Sequence, residues 1–501
     1  MTEGEENMTE SFNTIGHFID GVEESMTENF FSSYNPATGE EIARLSQGTK
    51  EDVNRAVESA KQAYNYTWKD MSPPDKGDIL RNIARRVRKD KELFGRTDTL
   101  DAGRPIAHTT HSDTEAVARL FDFFAGLPEF ARGATVPTAS PILNYSVREP
   151  YGVIGAIVPW NFPMINVATK IAPILACGNT VVLKGAEQAP LAAILLAKIA
   201  VEEGLPPGVF NVVNGGAETG EAIVSHPEIK KVTFTGSSKV GHEILTNNSG
   251  IKSSTLELGG KTANIVFSDA TIDSAVEGTL FTAFMNQGQT CTAGTRLLLH
   301  EDIKVPFLDK LIARINELQI GDPFDENTQI GAVITEQQLR RIEDYIEIGK
   351  SEGATLLTGG ERKRINGFES GLFMNPTVFT DVLPHMRIAQ EEIFGPVLSV
   401  ISFKDEEEAL DIANGTKYGL ATSLWTNDIK KAHDLANKFE SGIVWVNTVH
   451  TLSPSSGYGG YKDSGIGLEE GMEAMEQYMR LKTIWINYGE YVGPFQKNKG
   501  V

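Results

Sequence analysis

The sequence predicts an α/β protein made of two strand–helix units and a small separate β element. Three observations carry this. From Gly152 onward, short apolar strands alternate with helices, as βαβ units on a parallel sheet require. The alternation begins again at Asn264. Two strand-like segments, 135–149 and 482–488, belong to neither series, and are expected to pair with each other or with another subunit.

In chain order, Val53, Ala56, Val57, Ala60 and Ala63 recur at helical spacing and predict a helix over 49–66. A second helix over 76–93 is basic on one face, which reads as a solvated surface. The first α/β unit follows. Strands are expected at 153–158, 180–183, 209–213 and 231–234. Helices are expected at 165–175, 191–201, 218–224 and 240–246, the second ending near Gly204-Leu205-Pro206-Pro207. In the second unit a strand at 264–266 and a helix at 272–284 lead to Cys291, and strand character recurs at 443–446. Ligands on such sheets are expected at the carboxyl ends of the strands.

At 501 residues the chain is long enough for two or three domains. Its 46 Lys and Arg against 67 Asp and Glu give a net charge of −21, which argues against a nucleic-acid partner. Two cysteines make no disulfide framework, so a reducing, cytoplasmic setting is expected. The acidic first ten residues read as a tail without a signal peptide, with Met8 as an alternative start. No apolar run of membrane-spanning length appears, so no membrane partner is expected.

Two short runs carry nucleophile chemistry. Cys291 sits in Asn286-Gln287-Gly288-Gln289-Thr290-Cys291-Thr292, a polar, glycine-containing setting unlike a hydrophobic core. Cys177, in Ile174-Leu175-Ala176-Cys177-Gly178, lies at an apolar helix end and reads as structural. Glu257, in Glu257-Leu258-Gly259-Gly260-Lys261, ends a strand. It is either a solvent-facing glutamate or a carboxylate that reaches a cleft as a general base for water. A thiol and a carboxylate beside glycines are the parts of covalent catalysis through a thioester.

Other strand ends carry polar groups. Pro159-Trp160-Asn161-Phe162-Pro163 closes the 153–158 strand. Asn161 either caps the following helix or aims an amide donor at a developing oxyanion. In Lys184-Gly185-Ala186-Glu187, the lysine and glutamate can hold ribose hydroxyls. Phe234-Thr235-Gly236-Ser237, with Gly241 one turn on, opens a helix and fits a phosphate. Glu391-Glu392-Ile393-Phe394-Gly395-Pro396 is an acidic–aromatic turn to which the residues alone assign no role. No histidine–cysteine cluster has zinc spacing, so no metal is expected, and there is no G-x-S-x-G elbow.

Together, in this order and spacing, these motifs resemble the aldehyde dehydrogenase superfamily in its hydrolytic, non-acylating form. The resemblance runs from Asn35-Pro36-Ala37-Thr38-Gly39 to Tyr488. It implies an aldehyde dehydrogenase-like fold: a Rossmann-like NAD-binding domain (residues 1–130 and 151–259), an α/β catalytic domain (260–461), and an oligomerisation hairpin and strand (131–150 and 476–490). A homotetramer or homodimer goes with it. Cys291 then matches the nucleophile, Glu257 the general base and Asn161 the oxyanion-hole amide. The thiol is expected to have a lowered pKa. Pro159, Trp160, Lys184, Glu187, Gly236, Ser237, Gly241, Leu258, Glu392 and Phe394 match cofactor contacts. NAD is the implied cofactor and NADP the alternative, with Glu187 favouring NAD because a carboxylate repels a 2′-phosphate.

By matched position the substrate tunnel is lined by Phe162, Asn166, Thr169, Met285, Thr290, Thr292, His450, Leu452 and Tyr458. Thr169 and Leu452 replace aromatic residues of many relatives, which weakens a cage for a trimethylammonium group. No arginine falls on these positions, so no clamp for a second carboxylate is evident. The partly polar lining points to an oxygenated or aromatic aldehyde. Gly185, Gly457 and Leu468 depart from the family's commoner residues without removing a catalytic group. The alternatives are a coenzyme-A-acylating enzyme, disfavoured by Glu257, and a non-catalytic nucleotide-binding protein, disfavoured by retention of both Cys291 and Glu257. A cofactor-free esterase is disfavoured by the nucleotide-site motifs.

Overall fold

The computed structural model describes residues 14–247 and 250–495; the acidic first ten residues and Met8 lie outside them. The first sheet has eight strands, in the order Gly465–Ile466, Ser253–Glu257, Lys231–Thr235, Val153–Ile157, Thr180–Lys184, Phe210–Val212, Phe18–Ile19 and Val22–Glu23. The five strands from Ser253–Glu257 to Phe210–Val212 are mutually parallel. Val153–Ile157 and Thr180–Lys184 are buried at every residue, because helices cover both faces.

One face carries Pro163–Ala176 and Leu191–Glu202, with Pro73–Lys89 and Thr114–Ala125 packed outside them in one continuous core. This explains why Leu191–Glu202 is apolar nearly all round: eight of its twelve residues are buried. The other face carries Lys50–Ala63 and Ala217–Ser225.

The expected helix over 49–66 is an α-helix, Lys50–Ala63, running into a π-turn, Tyr64–Trp68. Thr49 and Asp52 cap it reciprocally. The expected 76–93 helix is two helices, Pro73–Lys89 and Lys91–Ala102, broken at Asp90. Its basic face is only partly solvated, since Lys76 is buried and donates to Met71 O at 2.8 Å. The apolar stripe Ile79, Leu80, Ile83, Ala84 and Val87 packs inward. Each isoleucine, leucine or valine of this stripe contributes about 1.5–3 kcal/mol on burial, more than a solvated charge on the opposite face.

The second sheet has seven strands, in the order Thr355–Thr358, Thr377–Thr380, Val397–Phe403, Arg296–His300, Ala263–Val266, Ala421–Trp425 and Ile443–Val446. All neighbours are parallel except the first pair. Only 258–262 separate the last strand of the first parallel series, Ser253–Glu257, from Ala263–Val266. The carboxyl edge of one sheet therefore meets the amino edge of the next. Gly465–Ile466 closes the edge of the first sheet, pairing Gly465 with Glu257.

The two leftover segments pair with each other. Ile142–Pro150 runs antiparallel to Met479–Asn487 along its whole length, from Pro150 opposite Met479 to Ile142 opposite Asn487. Thr135–Val136 completes a three-stranded sheet. Leu143, Leu481, Trp485 and Ile486 are exposed on it. No helix among the described residues is long and apolar enough to cross a membrane.

Candidate active site

Cys291 lies at the amino end of the Arg296–His300 strand, not at a carboxyl end as parallel sheets usually place their ligands. The reason is the edge-to-edge meeting of the sheets. Gly260 faces the Cys291 carbonyl so closely that an added Cβ would lie 2.2 Å from that oxygen. Before the thiol, helix Ile272–Phe284 ends and three successive residues turn left-handed: Asn286 (φ 50°), Gln287 (φ 57°) and Gly288 (φ 69°). Such backbone costs about 1–3 kcal/mol at each non-glycine residue and persists only where contacts over-determine it. They do here. Asn286 Nδ2 donates to Asn161 O at 2.7 Å, Gln287 Nε2 to Gly103 O at 3.2 Å, and Ile334 N to Gln289 Oε1 at 3.0 Å. At Gly288 a Cβ would lie 2.4 Å from Gly395 O. The polar Asn-Gln-Gly-Gln run is thus a scaffold that fixes the thiol.

Cys291 is half-buried, and its Sγ lies 3.2 Å from Tyr458 Oη. Its thiol is pushed up to about 12, first by burial and also by the Glu392 and Glu257 carboxylates, with the Tyr458 hydroxyl opposing. The lowered thiol pKa expected from sequence is corrected. That expectation needs a neighbouring cation or helix N-terminus, and the charges acting on this sulfur are carboxylates.

Glu257 is not solvent-facing. It is 3% exposed, and neither carboxyl oxygen has a hydrogen-bond partner among the described residues. Its carboxyl lies against two glycines: a Cβ on Gly459 would be 3.3 Å from Oε1, and one on Gly465 3.6 Å from Oε2. Burial raises its pKa well above the usual glutamate value, Glu469 adds to the rise and Lys170 opposes it. Lys170 Nζ and Glu469 form a buried ion pair, with Thr233 Oγ1 3.1 Å from Lys170 Nζ.

Asn161 does not cap the next helix; the residue at the helix start is Phe162, and no side chain caps it. Asn161 is buried, donates through Nδ2 to Gln289 O at 2.9 Å and accepts from Asn166 Nδ2 at 3.2 Å. The capping alternative is corrected, and the amide instead faces the loop that carries Cys291.

The groups read as a nucleotide site cluster around the carboxyl ends of the first sheet. Val153–Ile157 pairs with Thr180–Lys184 on one side and Lys231–Thr235 on the other, so the strand order reverses there. Pro159, Trp160, Gly236 and Ser237 follow these strand ends. Ser237 Oγ accepts from Val240 N at 3.4 Å at the start of helix Ser238–Asn247. Lys184 is buried, donates to Gly185 O at 3.0 Å and is pushed down to about 8 by burial, which Glu187 opposes. Glu187 lies over Gly216, where a Cβ would be 2.5 Å from Oε1. Gly241 turns inward: a Cβ there would strike Leu258 Cδ2 at 2.5 Å, so this glycine serves helix–sheet packing.

The 391–396 turn, left without a role by the residues alone, reaches the same place. Glu392 Oε1 accepts from Gly260 N at 3.0 Å, and a Cβ on Gly259 would lie 2.4 Å from Oε2. Phe394, left-handed at φ 61°, meets the Trp160 ring edge-to-face at 5.3 Å. Gln338 Nε2 fixes the turn through Ile393 O and Phe394 O.

Of the matched tunnel residues, Thr169 and Thr290 are buried, and Phe162, Asn166 and Met285 are half-buried. His450 Nε2 lies 3.1 Å from Thr282 Oγ1 and its Nδ1 3.4 Å from Thr292 Oγ1. Burial pushes this imidazole down to about 4, so it is neutral near pH 7. Leu452 is 53% exposed, which sets it apart from the buried group. An arginine does stand near these positions: the Arg104 guanidinium lies 4.1 Å over the Phe162 ring. It is 2% exposed and paired with Asp113, so it backs the wall and offers no clamp. Sequence reasoning missed the Lys170–Glu469 pair, the Gly215-Gly216 helix start under Glu187 and the Tyr458 contact with the sulfur. Only the glycine pair left a signal, a strand end followed by two glycines and a helix.

The aldehyde dehydrogenase family model matches residues 22–484. Mitochondrial aldehyde dehydrogenase of Equus caballus is 42% identical over 468 residues, covering 92% of this chain and 93% of its own length. Retinaldehyde dehydrogenase 3 of Mus musculus is 42% identical over 472 residues, covering 93% and 91%. Among solved structures, the NAD+ complex of aldehyde dehydrogenase from Bacillus cereus superposes with a TM-score of 0.94 at 38% identity, covering 98% of this chain and 99% of that one.

Proposed function

The chain belongs to the aldehyde dehydrogenase family, and from that premise we propose that it oxidises an aldehyde to the carboxylic acid with NAD, through a thioester on Cys291. The observation that carries the reading is convergence. The half-buried Cys291, the buried Glu257 carboxyl, unpartnered among the described residues, and the Asn161 amide lie where the two sheets abut.

The residues fit the dinucleotide. Gly216 and Gly259 leave the Glu187 and Glu392 carboxylates room that any Cβ would fill. Lys184 and Glu187 would hold the adenosine ribose, the helix start at Ser237 the phosphates, and Glu392 the nicotinamide ribose, with Pro159, Trp160, Leu258 and Phe394 as walls. The chemistry NAD supplies when bound is acceptance of a hydride.

In the first step the Cys291 thiol gives up its proton to solvent and the sulfur bonds to the aldehyde carbon. The carbonyl electron pair moves to oxygen, where Asn161 Nδ2 and the Cys291 N–H stabilise it. Loss of the aldehyde hydrogen with its electron pair leaves the thioester. Glu257 then takes a proton from a water whose oxygen attacks that thioester. The C–S bond breaks, the sulfur is recovered and the acid departs. The retained Glu257 favours hydrolysis over transfer to coenzyme A. Glu187 favours NAD over NADP by repelling a 2′-phosphate.

Asn166, Thr292, His450 and Tyr458 give the cleft hydrogen-bonding groups, which supports an oxygenated or aromatic aldehyde. A homotetramer or homodimer built on the exposed three-stranded sheet and a cytoplasmic location for a chain with two unpaired cysteines belong to the same reading. NADH formation across an aldehyde panel, with NADP in parallel and Cys291→Ala as control, tests it. Hydroxylated or aromatic aldehydes are expected to lead in kcat/KM, with free acid as product. Preference for simple alkanals overturns the substrate class, acyl-CoA as main product overturns hydrolysis, and activity in Cys291→Ala overturns the mechanism.

A further inference from the structure

Tyr458 is a second side chain at the reacting sulfur. Its hydroxyl lies 3.2 Å from Cys291 Sγ, and the backbone N–H of Thr292 also acts on that atom. The ring belongs to the Gly457-Tyr458-Gly459-Gly460 turn, which is clamped by a backbone bridge to Glu469. Tyr458 N donates to Glu469 O at 2.6 Å and Glu469 N returns to Tyr458 O at 2.7 Å. The Glu469 carboxylate is anchored in the core by Lys170. Gly459 closes the turn tightly, since a Cβ there would lie 2.7 Å from Gly467 O. The hydroxyl is thereby held from a fixed frame.

The charged surroundings make this contact consequential. Glu392 and Glu257 face the sulfur, and both disfavour a negative charge on it. Burial first, then the Cys291 sulfur itself, with Glu257 and Glu470 adding to it, keep the Tyr458 hydroxyl protonated well above the usual tyrosine range. An O–H that does not ionise can only donate to an anionic neighbour. Hydrogen bonds to charged groups are the stronger kind, and low local dielectric strengthens them further.

We propose that Tyr458 is a further catalytic residue, whose hydroxyl donates a hydrogen bond to the Cys291 thiolate whenever that thiolate exists. The proposal rests on Cys291 being the nucleophile. It applies twice in each turnover: before attack, when the S–H proton has left, and at thioester hydrolysis, when the C–S electron pair returns to sulfur. No proton leaves Tyr458 in either step. When sulfur is acylated it is a weak acceptor, and the hydroxyl is then free to face the substrate's own oxygen atoms.

The test is Tyr458→Phe, which keeps the ring and removes the donor. Cofactor-free, full-length enzyme is alkylated near neutral pH with iodoacetamide and, separately, with the bulkier N-ethylmaleimide. Labelling of the Cys291 and Cys177 peptides is followed by mass spectrometry. The expected result is a fall of about tenfold or more in Cys291 labelling, equal for both reagents, with Cys177 labelling unchanged. A loss of thiolate is indifferent to reagent size, whereas altered access is not. Unchanged Cys291 labelling, a change that depends on the reagent, or a parallel change at Cys177 overturns the proposal. Failure of the nucleophile reading shows separately, as aldehyde oxidation surviving in Cys291→Ala.

Discussion

The two cysteines of this chain have thiols pushed to the same value and surroundings that share little. Cys177 is 3% exposed at the end of helix Pro163–Ala176, inside the apolar core, and burial pushes its thiol up to about 12. Cys291 is pushed up to about 12 as well, yet it is half-buried, with the Tyr458 hydroxyl at 3.2 Å and two carboxylates facing it. The comparison teaches that resting acidity does not tell the two thiols apart. What separates the two is what else lies around the sulfur: the Tyr458 hydroxyl, the Glu257 carboxyl without a partner among the described residues, the Asn161 amide, and a loop held in left-handed backbone by the side chains of Asn286, Gln287 and Gln289 and by Gly288.

Replacing each thiol breaks the comparison most directly. Cys291→Ala is expected to abolish aldehyde-dependent NADH formation. Cys177→Ala keeps that activity and costs about 1 kcal/mol of stability, read from denaturant melts. Comparable loss of activity in both would erase the distinction. Next in size is Glu257→Gln, expected to lower kcat by about 100- to 10,000-fold while a first-turnover burst of NADH survives, because the base acts after the oxidation. Disappearance of the burst in stopped-flow absorbance would place Glu257 before it. Asn161→Ala is expected to cost about 100- to 1000-fold in kcat, as loss of one oxyanion donor does. A change confined to the aldehyde KM would mean that the amide only shapes the cleft.

A smaller effect follows from pH. Glu257 titrates above the ordinary glutamate range because burial and Glu469 disfavour its charge. In the proposed mechanism Glu257 acts as the carboxylate, so turnover should rise as pH climbs through that raised value and fall as pH drops through it. Steady-state kcat against pH should show this limb in the wild type and a flat line in Glu257→Gln. The smallest effect is expected at Glu187. Glu187→Gln should raise the KM for NAD by about tenfold or less and narrow the preference over NADP, since it removes one charged acceptor. An unchanged cofactor ratio would move discrimination elsewhere.

Much of this arrangement was legible in the sequence for physical reasons. Strands such as Val153–Ile157 and Ala263–Val266 are short apolar runs bounded by turn residues, and local composition alone sets them. Helix Ile272–Phe284 and strand Ile443–Val446 fall where periodicity places them. The break at Asp90 was not legible, because it depends on where Lys91–Ala102 must dock and no proline or glycine announces it. Similarity of motifs carried most of the candidate site, since Glu392 and Phe394 sit in a turn whose residues alone give no reason for chemistry. The Lys170–Glu469 pair joins residues 299 positions apart, and the Tyr458–Cys291 contact spans 167; no local pattern encodes such pairs. The expected lowering of the Cys291 pKa failed for a related reason. Sequence shows a thiol in a polar run but not that two distant carboxylates close over it.

The central claim is that the acyl group resides on Cys291 between oxidation and hydrolysis. Glu257→Gln enzyme mixed with NAD and a preferred aldehyde, quenched in acid and digested, should show the acyl mass on the Cys291 peptide, stoichiometric with the NADH burst, and none on Cys177. Acid product and NADH formed with Cys291 unmodified at every quench time, or the label on another residue, would contradict it.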